Sequence, residues 1–418
     1  MSEGVKAEAI AAHILERCSE LARCTENPGA ICRTFLSPAM DEAHALLREW
    51  AVEAGMTARV DGAGSFIAST NAADEAPRLM IGSHLDTVPN GGAYDGVLGV
   101  VLGLAIAEAQ SGGGLGIDIV GFSEEEGVRF GVPFIGSKAM IRELTAELLE
   151  RRDGAGATVQ EALNAFAKAK PDAVMTGLPK GTRGYLEFHI EQGPVLEAEG
   201  LALGVVTAIA GQTRGMMTFV GQAGHAGTTP MAQRQDALAA AAEWIVSVEE
   251  IARRTEGLVA TVGQISAEPN AVNVIAGEAR CSLDVRHADD PVRTRALSVI
   301  VRAADEIVAR RGLRCGWSEA HAEAAVPMDA GMVAMAERAV ERAGHPVRRM
   351  VSGAGHDAMV LAPHVPSGMI FLRCPGGLSH HPDETVMAED VAAAYKAGLQ
   401  FLDEFDRAWS VGERRTSA

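Results

Sequence analysis

Histidines and carboxylates cluster directly after four short apolar segments of this sequence. The four clusters lie at residues 84–95, 124–127, 189–192 and 379–382. Imidazole and carboxylate groups together are ligands that suit zinc and manganese. Carboxylates crowded into one site repel one another, and a divalent cation removes that repulsion and keeps them ionised. The clusters therefore predict a metal site, provided that the fold brings them together.

The number of ligands in these clusters fits a pair of divalent ions. Two ions that share a bridging carboxylate use five protein ligands, and such a pair lowers the pKa of a shared water to about 7 and polarises a carbonyl oxygen. A further carboxylate outside the metal shell can take the proton of that water and pass it to a leaving nitrogen. The pattern therefore favours metal-assisted hydrolysis.

Each of these residues alone has an ordinary explanation. A single His or Glu is more often a surface or core residue, and Glu124–Glu126 alone would be a solvated charge run. The joint occurrence at four strand ends favours the metal site. Competing motifs are weaker: Gly353–Ala358 fits a dinucleotide-binding pattern without a clear strand before it, and Gly131–Lys138 has the wrong order for a phosphate-binding loop. No G-x-S-x-G motif supports a serine hydrolase.

Four apolar segments carry the clusters, and the sequence predicts that they are strands. Helical segments such as 97–110 alternate with them, which favours an α/β domain with a mainly parallel sheet. In open sheets of this kind ligands bind at the carboxyl ends of the strands. We therefore expect the four clusters to meet at one edge. The predicted strands are 79–81, 117–122, 185–190 and 369–372.

The middle of the chain has a different pattern. Predicted strands at 217–220, 258–265, 279–285 and 313–317 and helices at 236–253 and 291–311 follow one another in the order β-α-β-β-α-β. That order is typical of a ferredoxin-like α+β domain. The sequence thus predicts a catalytic domain in two parts, 1–212 and 328–418, with a second domain inserted at 213–327.

Composition restricts the partners. The 418 residues include 37 Lys and Arg and 55 Asp and Glu, so the formal net charge is −18. Such an acidic chain is not expected to bind nucleic acid or anionic membranes. No segment has the length of a membrane span, since the best candidate is Val97–Ala109. The six cysteines form no CxxC pair and are expected to be free thiols in a cytoplasmic protein.

Five motifs follow one another along the chain: Gly82–Thr87, Asp95-Gly96, Glu125–Phe130, His189–Gly193 and His225–Met231. Together they resemble the motifs of the ureido-hydrolysing amidases of the M20 metallopeptidase superfamily, the hydantoinase/carbamoylase type. The resemblance implies a di-metal catalytic domain with an inserted dimerisation lid. It also implies hydrolysis of the C–N bond of a terminal ureido group, with allantoate as the first expected substrate and an N-carbamoyl-L-amino acid as the second.

The resemblance also implies roles for individual residues. Two divalent ions are expected, zinc or manganese, with cobalt as a further option. One ion would be held by His84, Asp95 and His189, and the other by Asp95, Glu126 and His380. Glu125 matches the general base, and Asp86 matches a carboxylate that orients His84.

Substrate contacts are implied as well. His225 matches a residue that steadies the oxyanion, reaching across a homodimer. Asn273 and Arg286 match a pair that grips the substrate carboxylate, for which a planar Arg fork is well suited. Gln192 matches a contact to the ureido group, and Gly355 and His356 match a substrate loop. The expected partners are therefore a small ureido substrate with a carboxylate and a second copy of the chain.

Two other functions are compatible with the sequence. A dipeptidase or N-acyl amino acid deacylase would use the same ligands, although these peptidases usually have a carboxylate where His189 stands. A catalytically silent binding protein could keep the fold, but the complete ligand set and Glu125 argue against it.

Overall fold

The computed structural model describes residues 3–71, 73, 76–110, 114–170 and 177–416, of which residues 3–5 and 410–416 by their backbone alone. The chain divides into two compact units: the first comprises Met1–Thr207 and Met328–Ala418, and the second comprises Ala208–Pro327. The sequence put the first boundary at residue 213, which lies inside a strand that begins at Gly211.

The described residues of both units form short strands. In chain order they are β1 (Thr57–Val60), β2 (Phe66–Ser69), β3 (Arg78–His84), β4 (Gly116–Phe122), β5 (Thr182–Ile190), β6 (Leu203–Ile209), β7 (Gly211–Val220), β8 (Gly224–His225), β9 (Val259–Thr261), β10 (Ile265–Glu268), β11 (Val274–Ile275), β12 (Glu278–His287), β13 (Arg314–Glu323), β14 (Val326–Pro327), β15 (Arg349–Ser352) and β16 (Ser367–Leu372).

Helices alternate with these strands. They are α1 (Glu3–Leu21), α2 (Pro38–Glu53), α3 (Val97–Ala109), α4 (Ile135–Met140), α5 (Ala146–Leu149), α6 (Val159–Ala169), α7 (Val195–Glu199), α8 (Ala237–Arg254), α9 (Asp290–Arg311), α10 (Ala330–Arg342), α11 (Asp357–Leu361) and α12 (Ala388–Thr416). Short 3₁₀ turns lie at Met231–Gln233 and Pro375–Gly377.

The sheet of the first unit has a parallel centre and antiparallel flanks. Its order is β1-β2-β4-β3-β5-β16-β6, and the four central strands β4, β3, β5 and β16 are parallel. This confirms the mixed α/β fold with a largely parallel central sheet. The flanking strands β1, β2 and β6 pair antiparallel and were not predicted. They need no helical crossover, so the alternation of strand and helix that the prediction used does not reveal them.

Helix α3 covers one face of the parallel strands and is itself buried. Its residues from Val97 to Ala107 are all buried, because it contacts β3, β4 and β5 on one side and α1 and α12 on the other. Gly99 permits the close approach, since a Cβ there would overlap the carbonyl oxygen of Phe188 in β5. Within the described ranges, no helix combines the length and apolarity needed to cross a membrane.

The second unit has an α+β fold. Its sheet has the order β10-β12-β7-β13, with β9 also on β12, and α8 and α9 contact the strands. The buried core includes Phe219 and Trp244, whose rings meet edge to face. The predicted strand 258–265 is two strands instead. Thr261 pairs with Asp284 and Ile265 pairs with Cys281, so one extra residue on the β9–β10 side forms a bulge.

Candidate metal centre

The four predicted clusters meet at the carboxyl edge of the parallel strands. His84 is the last residue of β3 and pairs with Phe122, the last residue of β4. His189 lies near the end of β5 and pairs with Phe371 of β16. Loops that leave these strands at the same edge carry Asp95, Glu126 and His380. The parallel arrangement thus brings together side chains that are almost 300 residues apart in the chain.

The five side chains form two groups that share Asp95. In the first group, His84 Nε2 lies 3.4 Å from His189 Nε2, and Asp95 Oδ1 lies 3.7 Å and 3.2 Å from these two atoms. In the second group, His380 Nε2 lies 3.2 Å from Asp95 Oδ2 and 3.2 Å from Glu126 Oε1. Because its two oxygens face different groups, Asp95 has the geometry of a bridging carboxylate.

The donor atoms of the first group fit a divalent ion. His84 Nδ1 lies 2.9 Å from the carbonyl oxygen of Asp86, and His189 Nδ1 lies 2.9 Å from that of Ile190. A carbonyl oxygen only accepts, so in the neutral rings each Nε2 presents a lone pair to the other ring. Atoms bound to one tetrahedral zinc ion at about 2.0–2.1 Å lie roughly 3.3 Å apart. The observed spacing suits such an ion. Without an ion, burial lowers the pKa of His84, but the carboxylates of Asp95, Glu125 and Asp86 outweigh it and raise that pKa well above its usual range, so a proton takes the place of the positive charge.

The electrostatics of the second group also favour a cation. Burial raises the pKa of Asp95, but the hydrogen bond with His380 and the nearby imidazoles of His84 and His189 outweigh it and hold that pKa well below its usual range. Hydrogen bonds to Asp95 and Glu126 raise the pKa of His380 to about 10. Asp95 is therefore an anion at neutral pH, and without a metal ion a proton on His380 neutralises part of the cluster.

The glutamates at 124–126 have three different environments. Glu124 is fully buried and accepts the backbone N–H of Arg129 at 2.9 Å, so it caps the loop after β4. Glu125 is 8% exposed, and burial raises its pKa well above the ordinary value. Glu126 belongs to the second group. Adjacent residues point in different directions, and the sequence alone did not show that the first glutamate supports the loop.

Asp86 does more than the predicted role states. Its carboxylate accepts the backbone N–H of Glu125 at 2.9 Å and that of Glu126 at 3.0 Å. His84 Nδ1 is bonded to the Asp86 carbonyl oxygen and lies 3.8 Å from the carboxylate. The hydrogen bond that orients His84 therefore comes from the backbone of Asp86, while the side chain holds the turn that carries the two glutamates.

The backbone is strained around the centre. Glu124, Gln192 and His380 have φ of 52°, 57° and 57°. Non-glycine residues adopt this left-handed region at a cost of about 1–3 kcal/mol, and such residues are common at functional sites. Gly96 has φ of 68°, and a Cβ there would overlap the ring of His84. The loop that carries Asp95 therefore requires glycine at this position.

Two other predicted residues lie beside the centre. Gln192 Nε2 donates to Asp95 Oδ2 at 3.0 Å, and its Oε1 is buried without a hydrogen-bond partner in the described part of the chain. His356 is 1% exposed, packs its ring 4.4 Å from that of His189, and bonds Ser352 Oγ at 2.9 Å. Gly355 precedes it and is exposed. The expectation that no strand precedes this glycine motif is wrong, because β15 ends at Ser352.

The sequence analysis missed two supporting carboxylates. Glu187 of β5 is fully buried and accepts Ser83 Oγ at 3.2 Å and the backbone N–H of Ala358 at 2.9 Å. A glutamate inside an apolar strand was a usable signal. Glu384 accepts the backbone N–H of Asp95 at 3.0 Å, and burial raises its pKa to about 7. It lies in an irregular loop, where no periodic pattern marks it.

Three predicted substrate residues belong to the second unit. His225 of β8 and Asn273 are neighbours, since the backbone N–H of Ala226 donates to the Asn273 carbonyl oxygen at 2.9 Å. Arg286 of β12 donates to both carboxylate oxygens of Asp284 at 2.9 Å. Their contacts with a substrate stay predictions.

Comparison with known proteins identifies the family. The model of Peptidase family M20/M25/M40 matches residues 80–404. A probable allantoate deiminase of Oryza sativa subsp. japonica is 37% identical, covering 96% of this chain and 90% of its own. An N-carbamoyl-L-amino acid amidohydrolase of Geobacillus stearothermophilus is 39% identical, covering 90% and 94%.

A solved structure agrees with these relatives. The amidase of the hydantoinase/carbamoylase family from Burkholderia multivorans is 34% identical, with a TM-score of 0.86, and covers 94% of this chain and 97% of its own. The match spans both units of the chain. The protein therefore belongs to Peptidase family M20/M25/M40 and, within it, to the hydantoinase/carbamoylase-type amidases.

Proposed function

We propose that this protein is a metal-dependent amidohydrolase that cleaves the C–N bond of a terminal ureido group. The observation that carries the proposal is the position of Asp95, whose two oxygens face two separate groups of ligand atoms. Allantoate is the first expected substrate, in line with the name of the rice relative. An N-carbamoyl-L-amino acid is the second, in line with the name of the Geobacillus relative.

Two divalent ions, zinc or manganese with cobalt as a further option, would be held by His84, Asp95 and His189 and by Asp95, Glu126 and His380. Bound ions of this kind supply Lewis acidity that polarises a carbonyl and lowers the pKa of a water. The ligand nitrogens and oxygens are mixed, which suits all three metals and does not choose among them.

Glu125 is proposed as the general base and acid. Its burial raises its pKa, so a proton taken from water stays on the carboxyl until the leaving nitrogen accepts it. Asp86 fixes the backbone of Glu125 and thereby its position. Attack of water on the ureido carbon would release an amine and a carbamate, which decays to ammonia and carbon dioxide.

The substrate carboxylate would be bound by Asn273 and Arg286, and the oxyanion would be steadied by His225 of a partner subunit. Gln192, Gly355 and His356 are proposed to line the substrate site. Gln192 has a buried acceptor without a partner among the described residues, which a ureido N–H could satisfy. A homodimer and a cytoplasmic location stay predictions from the sequence.

Ammonia release tests the proposal. The manganese-loaded protein is incubated with allantoate and with a panel of N-carbamoyl-L-amino acids, each with a chelator control. Chelator-sensitive ammonia from one substrate class supports the proposal and identifies the branch. Amine release from dipeptides or N-acyl amino acids, without ammonia from ureido compounds, would contradict it.

Glu125→Gln tests the role of the base. We expect turnover to fall about 10²–10⁴-fold with unchanged metal content, since general acid–base catalysis contributes that much. Metal analysis of the purified variant provides the control. A variant that keeps more than about a tenth of the activity would show that the base is assigned wrongly.

A further inference from the structure

Glu384 binds the backbone next to the bridging carboxylate. Its side chain is 5% exposed, and its Oε1 accepts the N–H groups of Tyr94 and Asp95, both at 3.0 Å. A carboxylate that accepts two backbone N–H groups holds that backbone in one position. The loop that ends at Asp95 is thus attached to a residue almost 290 positions later.

Ser379 binds the side chain of the same aspartate. Its Oγ lies 2.8 Å from Asp95 Oδ2 and 3.3 Å from Glu384 Oε2. Gln192 Nε2 donates to Ser379 Oγ at 3.2 Å, which leaves the hydroxyl hydrogen for the carboxylates. Asp95 is therefore held through its backbone by Glu384 and through its carboxylate by Ser379.

The segment that provides these contacts also carries a ligand. His380 follows Ser379, and it is the ligand with the weakest support: its side chain is 48% exposed and its φ is 57°. His84 and His189 are 2% and 1% exposed and lie on strands. The contacts of Ser379 and Glu384 thus connect the loop of the second group to the aspartate that both groups share.

The loop before Asp95 leaves room for the Glu384 carboxylate. A Cβ on Gly92 would overlap this carboxylate. The substitution Gly92→Ala would therefore displace the Glu384 side chain without changing residue 384 itself. The chain thus offers two independent ways to disturb one contact.

We propose that Ser379 and Glu384 are positioning residues that hold Asp95 and the His380 loop together and so determine whether the second metal ion binds. The inference rests on the proposed two-ion centre. The first group is expected to depend less on this connection, because two of its three ligands, His84 and His189, come from the neighbouring strands β3 and β5.

Metal binding by Glu384→Ala tests the inference. Manganese bound per chain is measured after equilibrium dialysis, and electron paramagnetic resonance separates coupled ion pairs from single ions. We expect the wild type to bind two ions and the variant one, with the affinity of the second ion lowered about 10–100-fold. Glu384→Gln keeps an acceptor for the two N–H groups and should still bind both metal ions.

Further variants keep the inference testable if Glu384→Ala does not fold. Gly92→Ala should give the same loss of the second ion, and Ser379→Ala should give a smaller one. Glu197→Ala is the matched control, because Glu197 accepts the backbone N–H of Gly376 at 2.7 Å in the loop that leads to Ser379 and does not touch Asp95. This control should bind two ions.

The outcomes separate the two proposals. If the wild type binds fewer than two ions, the proposed function loses its metal centre. If the wild type binds two and Glu384→Ala, Gly92→Ala and Ser379→Ala all bind two as tightly, the inference is wrong and the proposed function stands. Equal loss of the second ion in the Glu197→Ala control, or in Glu384→Gln, would also overturn it.

Discussion

The two ligand groups of the centre differ in how the fold holds them. His84 and His189 are buried at the ends of the adjacent strands β3 and β5, and a backbone carbonyl binds each Nδ1. Glu126 and His380 lie on loops, and His380 is about half exposed. Strand ends therefore preorganise the two histidines of the first group, whereas the second group depends on contacts between loops.

Removal of a strand-borne ligand should have the largest effect. His189→Ala takes away one of the two histidines of the buried group. We expect ammonia release to fall about 10³-fold or more, because metal activation of water is lost with the ion. Metal content and turnover are measured together. A variant that retains two tightly bound ions would contradict the contrast between the groups.

The loop-borne ligand should be easier to replace from solution. We expect His380→Ala to lower turnover about 10²-fold and to recover about tenfold with added imidazole, since the site of the missing ring is exposed. His189→Ala should show no recovery, because its site is buried. The measurement is ammonia release against imidazole concentration. Equal recovery of both variants would show that exposure does not distinguish the two groups.

The glycine beneath His84 tests the same contrast through the backbone. Gly96→Ala places a Cβ against the His84 ring, and we expect metal affinity to fall about tenfold or more. Gly376 is the control, since its φ is also positive, at 70°, but a Cβ there meets no atom within 4 Å. Gly376→Ala should only lose about 1 kcal/mol of stability. Similar metal affinities of the two variants would refute the requirement for glycine at residue 96.

Replacement of His44 should have the smallest effect, because this histidine is buried but is not one of the proposed metal ligands. It is 3% exposed, and neither ring nitrogen has a hydrogen-bond partner among the residues that the structure describes. Burial lowers its pKa from 6.5 to about 3. We expect His44→Leu to raise the free energy of unfolding by about 1–2 kcal/mol at pH 7, because an unsatisfied polar group leaves the core.

The effect of His44→Leu on stability should depend on pH. Below pH 6.5 the unfolded chain binds a proton on His44 that the folded chain does not bind until about pH 3, so wild-type stability falls across that window. The advantage of His44→Leu should therefore grow by about 2 kcal/mol between pH 6.5 and pH 5. Urea unfolding at both pH values measures it. A constant difference would show that His44 is not held neutral.

The central strands and the ligand clusters were predictable because their signals are local. Apolar runs followed by polar residues predict β3, β4, β5 and β16, and parallel strands bring their ends to one edge. The flanking strands carried no such signal. The segment 258–265, which contains the bulge between β9 and β10, was predicted as one continuous strand. The function of Glu384 was also invisible, since it consists of hydrogen bonds to backbone atoms almost 290 residues away.

Residue types and their spacing were enough to identify the side chains available as ligands and the strand ends at which they lie. Residue type and the period of the apolar pattern are local properties, and they are sufficient for that conclusion. The folded chain was needed to see that Glu124 caps a loop while Glu126 faces His380. It was also needed to see that the Asp86 carboxylate holds the turn with the glutamates and that Asp95 faces two groups. Those roles depend on distances between atoms of separate segments, which follow from packing and have no pattern along the chain.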